Sequence, residues 1–268
     1  MRDRETARQT APVAATGHRS SATEPAVHIW ILDLDAMSHP DAALQAVLDP
    51  VDLAHCARAL LPSEQRRRLV CRAGLRWIVS GYVNQPPAAL RFSVGPHGKP
   101  ALRLDRDELA IGLHFNLSHS RGLAAIAVTD HAEVGIDIEH IAPLEPGLAA
   151  SVLSDREQHA LRQLPDDARA DAFYRCWVRK EAILKATGVG LSVAPTRIEV
   201  PHAIEGASAP LLLPPEWGDA PDWTLRMFAP RPGVVGSIAI RCHSVEITRH
   251  ETDDFTNLNG GAVPYDKR

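Results

Sequence analysis

Two runs of small apolar residues, GLAAIAV (Gly122–Val128) and VVGSIAI (Val234–Ile240), recur along the chain, each downstream of a long helical pattern. The first pattern is Glu64–Asn84, where Leu69, Leu75, Ile78 and Val79 form an apolar stripe. The second is Asp166–Gly188, stopped by its glycine. A helix followed by such a strand, twice over, predicts an α+β fold of two similar halves meeting near His131. Further strands are expected at His28–Asp35, on both sides of the polar turn in LHFNLSHSRGLAAIAVTD, at Val134–Ile141 and in TLRMFAP. A shorter helix is expected from Ser154, whose acidic first turn suits a helix start.

The expected organisation is a disordered tail over 1–27, an N-terminal lobe over 28–131, a C-terminal lobe over 132–249 and a flexible tail over 250–268. The first 27 residues are polar and rich in Ala, Thr and Ser, without an apolar signal core. No run approaches the roughly 18 apolar residues of a membrane span. A net charge of -4 offers no global attraction to nucleic acid or to an anionic membrane, so any anion site is local. Cys56, Cys71, Cys176 and Cys242 are scattered, with neither metal-type pairing nor a dense framework; free thiols in a reducing cytoplasm are the simpler reading.

Three clusters carry candidate chemistry. VGIDIEHI sets Asp137 and Glu139 two apart among Ile136, Ile138 and Ile141. In a strand, i and i+2 share a face, so two carboxylates stand side by side and each pushes the other's pKa up. A solvated edge strand guarded by charge is the plain alternative; the flanking isoleucines argue for burial of one face and for a cation between the acids. Hard oxygen ligands of this kind suit Mg²⁺. The second cluster, FNLSHS, crowds Asn116, Ser118, His119 and Ser120 together, and alone reads first as a hydrogen-bonded turn. In the third, CWVRKEAILKATG, Trp177, Glu181 and Lys185 fall at i, i+4 and i+8 on one helix face. Alone it reads as a surface ion pair beside a core tryptophan.

With GKP (Gly98–Pro100), FNLSHS, GIDIE (Gly135–Glu139) and WVRKEAILKATGVGL (Trp177–Leu191) in this order, the chain resembles the phosphopantetheinyl transferases, specifically the two-lobed, surfactin-synthetase-activating type. The resemblance runs from about Ser63 to Ala239. It implies two lobes in pseudo-twofold arrangement. The implied reaction is Mg²⁺-dependent transfer of the 4′-phosphopantetheine arm of coenzyme A to a serine of an acyl or peptidyl carrier protein, with release of adenosine 3′,5′-bisphosphate. By the same resemblance, Asp137, Glu139 and Glu181 hold the metal, and Lys185 and His119 grip the pyrophosphate. Ser118, Lys99 and the Gly98–Pro100 turn hold the adenosine and 3′-phosphate end, with Arg67 or its neighbours Arg66 and Arg68 on the 3′-phosphate. The proton of the acceptor serine goes to Glu181 or to a water on the metal. Lys180 divides between a structural or rim charge and a substrate contact; Trp177 is expected to pack and His114 to be ordinary. One departure is visible: Ser63, Glu64 and Gln65 run straight into Arg66–Arg68, leaving no counterparts for the lysines that family members place before the arginine. A pyrophosphate hydrolase of coenzyme A and a non-catalytic coenzyme A-binding regulator are the alternatives. The expected state is a cytoplasmic monomer with a lean towards secondary metabolism.

Overall fold

In the computed structural model, which describes residues 24–95, 97–103, 112–200 and 212–255, the apolar run AVHIWILD becomes β1 (Ala26–Asp33), buried along nearly its whole length. Two short helices, α1 (Asp41–Gln45) and α2 (Pro50–Ala57), precede the long α3 (Pro62–Val83). α3 opens with Pro62 and an acidic residue, Glu64, in its first turn, and closes where Asn84 takes a left-handed conformation at φ 54°. The GKP region is a small hairpin, β2 (Phe92–Val94) and β3 (Pro100–Leu102). Then come β4 (His114–Ser120), β5 (Leu123–Thr129) and β6 (Val134–His140).

The helices α4 (Leu148–Val152) and α5 (Asp155–Arg162) follow, the latter opened by a reciprocal capping box between Ser154 and Glu157. α6 (Asp166–Thr187) carries two acids in its first turn and ends at Gly188, whose φ of 71° only glycine adopts cheaply. The chain closes with β7 (Thr224–Phe228), β8 (Val234–Ile240) and β9 (Glu246–Thr252).

One sheet has the order β4-β5-β1-β9 and another β6-β8-β7. The unit β1–α3–β4–β5 thus recurs as β6–α6–β7–β8, with the first strand beside the last and the third strand outside it in both. Alternation along the strands divides the core into three. Trp30, Leu32, Ile126 and Val128 meet α3 through Leu69, Val70, Trp77 and Ile78. Ile29, Ile31, Ala125 and Ala127 meet Ile136, Ile138, Val234 and Ile238 between the sheets. Ala239 and the inner face of α6, through Phe173, Ala182 and Ile183, meet Ile198 and Trp217. The layers run helix, sheet, sheet, helix. Even-numbered residues of β6 therefore face the first sheet, and odd-numbered ones face α6.

The C-terminal boundary differs from expectation. β9 spans residue 249 and pairs in parallel with β1, from Ala26 opposite Glu246 to Leu32 opposite Thr252. Phe255 is fully buried and stacks on Trp77 with ring centroids 4.8 Å apart. Residues 250–252 thus belong to the first sheet and Phe255 to its core; β9 escaped notice because its polar, partly exposed side chains carry no apolar alternation and its backbone pairing alone holds it. The remainder of that tail, and residues 1–23 of the N-terminal one, lie outside the described residues. Ala26 and Val27 are already in β1.

Candidate active site

Asp137 is 4 % exposed and points from β6 towards α6. What brings the helix that close is Gly135, two residues earlier on the same face. A Cβ there would lie 1.9 Å from the carbonyl oxygen of Ala182 and 2.5 Å from the amide nitrogen of Ala186. A glycine inside a strand pattern is a recognisable sign of such an approach; the sequence marks Gly135 only as the first residue of GIDIE, with no role of its own. Gly135→Ala must push α6 away from the strand. Its expected cost is about 3 kcal/mol of stability, checked by denaturant unfolding; a loss below about 0.5 kcal/mol would contradict the close approach.

Along the facing stretch of α6, Glu181 and Lys185 line one cavity of about 260 Å³ with Trp177, Asp137, Glu139, Leu117, Ser118 and His119. Lys185 Nζ is 2.7 Å from Asp137 Oδ1, and Ser118 Oγ donates to the same oxygen at 2.8 Å. Ser120 Oγ donates to Glu139 Oε2 at 2.7 Å, and Trp177 reaches Glu139 from the helix side. The tryptophan both packs beside Phe173 and forms a polar contact at the cavity wall. Burial pushes the Glu139 carboxyl up; the Ser120 hydrogen bond pulls against it, and the Asp137 charge adds to the rise. Burial, then Asp137, pushes Glu181 up in the same way.

Asp137 Oδ2 and Glu181 Oε1 are buried with no hydrogen-bond partner. Orphaned carboxylate oxygens of this kind are costly unless a cation meets them, and an all-oxygen donor set suits Mg²⁺. The three acids share a cavity rather than a finished cage: among the described residues, no three such groups stand at metal-ligand spacing. Mutual repulsion opposes a tighter cluster, and Lys185 already neutralises Asp137.

A second cavity, about 220 Å³, adjoins the first and is basic. Arg67, Arg68, Arg72, Arg121, His55 and His119 line it together with Gly98 and Pro100. Leu117 and His119 border both cavities. His119 is open to solvent at this junction, yet the crowding of its ring and then the charges of Lys185, Arg68 and Arg72 lower its pKa. Arg67 is held by both oxygens of Asp35 at 2.7 Å and by Glu64. Arg66 turns away, binding Asp41 and the carbonyls of Met37 and His39. Arg121 occupies the turn after β4 at φ 53°, a conformation L-residues seldom hold. Arg72 and Arg121 were not foreseen, since neither belongs to a motif.

Two further lysines of the motifs lie outside both cavities. Lys99 lines a neighbouring cavity, where Nζ is 2.5 Å from Glu133 Oε2 and 3.2 Å from the carbonyl of Val134. His114 binds the other oxygen of Glu133 at 3.0 Å; this bond and Lys99 hold that carboxyl near 2, against its burial. Lys180 is fully buried, bound to Glu157 and to the carbonyls of Val152 (2.9 Å) and Pro195 (3.1 Å). Its role is structural: three acceptors satisfy an ammonium with no route to the cleft.

Comparison with known proteins places these features in a family. A sequence model of the 4′-phosphopantetheinyl transferase superfamily matches residues 133–225. The chain is 36% identical over 217 residues to the 4′-phosphopantetheinyl transferase HetI of Nostoc sp., covering 80% of this chain and 87% of that protein. It belongs to the 4′-phosphopantetheinyl transferase superfamily. Other similar members of the superfamily include Sfp of Bacillus subtilis, 28% identical over 162 residues (60% of this chain, 70% of Sfp). The human L-aminoadipate-semialdehyde dehydrogenase-phosphopantetheinyl transferase is 26% identical over 160 residues, 57% of this chain and 52% of its own. The superfamily match begins just before β6 and contains Asp137, Glu139, Glu181 and Lys185, so the acidic cavity lies wholly within it except for its β4 wall. Among the described residues, no helix is long and apolar enough to cross a membrane.

Proposed function

We propose that this cleft transfers the 4′-phosphopantetheine arm of coenzyme A to a serine of an acyl or peptidyl carrier protein, releasing adenosine 3′,5′-bisphosphate. The observation that carries the reading is the junction of an acidic and a basic cavity at Leu117 and His119. A donor with a pyrophosphate and a separate 3′-phosphate needs both: cations for its phosphates, and carboxylates for the metal that accompanies the bond being broken.

Asp137, Glu139 and Glu181 would hold Mg²⁺, with Asp137 Oδ2 and Glu181 Oε1 as the oxygens left open for it. Bound there, Mg²⁺ supplies Lewis-acid neutralisation of the charge that builds on a breaking pyrophosphate. Lys185 is assigned to the same phosphates, where a fixed cation stabilises the departing oxygen. His119, at the junction of the two cavities, is placed to donate an N–H to phosphate. As the serine oxygen bonds to the pantetheine-side phosphorus and the bond from that phosphorus to the adenosine-side oxygen breaks, the serine proton passes to Glu181 or to a water held beside the acids.

Gly98 and Pro100 wall the adenosine end, and the 3′-phosphate falls to the arginine group that includes Arg67, Arg68 and Arg72. These arginines answer the missing upstream lysines. Ser118 donates to Asp137 from the acidic cavity, and Lys99, tied to Glu133, stands outside the basic one. The repeated strand order supports two lobes in pseudo-twofold arrangement, and a chain that contains both halves is expected to act as a monomer.

Incubation with coenzyme A, Mg²⁺ and apo carrier proteins, followed by mass spectrometry, tests the reading. A gain of about 340 Da on the carrier is the expected result. Free phosphopantetheine beside unmodified carrier would mean hydrolysis, and retained binding without turnover would mean a regulator. A panel of fatty-acid, polyketide and peptide carriers would show which pathway is served; secondary metabolism is the expected one.

A further inference from the structure

β4 and β6 are edge strands of different sheets, and no backbone ladder joins them. Side chains do. The amide of Ile136 donates to Asn116 Oδ1 at 3.0 Å, that of Ile138 to Ser118 Oγ at 3.3 Å, and that of His140 to Ser120 Oγ at 3.2 Å. Each step of two along β4 matches a step of two along β6, so the strands run side by side in the same direction with polar side chains in place of carbonyls. All three β4 residues are buried.

The two serines do more than accept. A hydroxyl has one proton and two lone pairs, and each spends its proton on the carboxylate one residue before the amide it receives. Ser118 donates to Asp137 Oδ1, and Ser120 to Glu139 Oε2. One atom thereby ties the position of the β6 backbone to the rotamer of a cleft carboxylate. With Oδ1 of Asp137 taken by Ser118 and Lys185, its other oxygen is the one left unpartnered. The polar stripe of β4 has a physical reason: with no backbone ladder between the two edges, the amides of β6 must still find acceptors.

We propose that Asn116, Ser118 and Ser120 form a side-chain ladder that sets β6 against β4, and that Ser120 is a positioning residue that aims Glu139 at the metal. The second half rests on the metal assignment of the preceding section. Its role is to fix ligand direction before the cation arrives, as groups hydrogen-bonded to metal ligands do elsewhere.

The test uses the full chain with Ser120→Ala and Ser120→Thr. Amide hydrogen exchange reports the ladder, and Mn²⁺ titration by calorimetry reports the aim, neither needing turnover. Ser120→Ala should speed exchange at His140 at least about tenfold, leave β5 and β8 protected, and weaken Mn²⁺ about tenfold. Ser120→Thr, which keeps the hydroxyl, should restore both. Wild-type protection at His140 in Ser120→Ala overturns the ladder. Lost protection with undiminished Mn²⁺ affinity overturns the positioning role alone. A wild-type chain that binds no Mn²⁺ overturns the metal assignment and the positioning role with it, while the exchange result still decides the ladder.

Discussion

Asp137→Ala is expected to lower turnover at least about a thousandfold, and added Mg²⁺ is expected not to restore it. Several kcal/mol of charge stabilisation at the breaking pyrophosphate depend on the metal, and each 1.36 kcal/mol is a factor of ten in rate. The substitution removes the central ligand of the three and also releases Lys185 from its 2.7 Å partner. The fold should survive. Asp137 raises the proton affinity of both Glu139 and Glu181, so its removal relieves two like-charge contacts in a buried site. Asp137→Asn, which keeps the shape and an acceptor for Ser118, separates charge from geometry: it should show near-wild-type unfolding and no Mn²⁺ binding. Near-normal phosphopantetheine transfer by Asp137→Ala would falsify the metal assignment.

Lys180→Met is expected to act on stability and leave the chemistry alone. It removes the ammonium that Glu157 faces while both are buried, Lys180 completely and Glu157 at 2 % exposure. Stranding a buried carboxylate costs about 3–5 kcal/mol, which for a chain of this size lowers the thermal midpoint by about 10 °C. The damage spreads because Glu157 also closes the capping box of α5 and accepts the amide of Val200 at 2.9 Å. Adding Glu157→Gln should recover part of the loss, since the stranded charge is then gone. Below the lowered midpoint, the KM for coenzyme A should match wild type. A raised KM with an unchanged midpoint would return Lys180 to the substrate.

The two lysines of one motif show how far spacing reaches. Lys180 and Lys185 are five apart on α6, which turns them to different sides of the helix. Residue type and order marked both, but only the packing of α6 between β6 and the α5 region decides that one meets Asp137 and the other Glu157. Lys99 makes the same point on a loop. The resemblance assigns it to the adenosine and 3′-phosphate end, and in the free protein its ammonium meets Glu133, thirty-four residues away. Arg67 likewise found Asp35, thirty-two residues earlier, before any ligand.

What the chain determined by itself was local and periodic. Two long helices, the stop at Gly188, the apolar strands, and the shared face of Asp137 and Glu139 all follow from spacing of 3.6 or 2 and from turn chemistry. Tertiary structure decided three further things. It added β9 to the first sheet, because backbone pairing with β1 needs no apolar pattern. It set α6 on β6 at Gly135, so that Glu181 and Lys185 reach the strand's acids. It joined an acidic to a basic cavity at His119. The physical reason is common to all three: hydrogen bonds and charges choose partners by distance in space, and that distance exists only once the layers have packed.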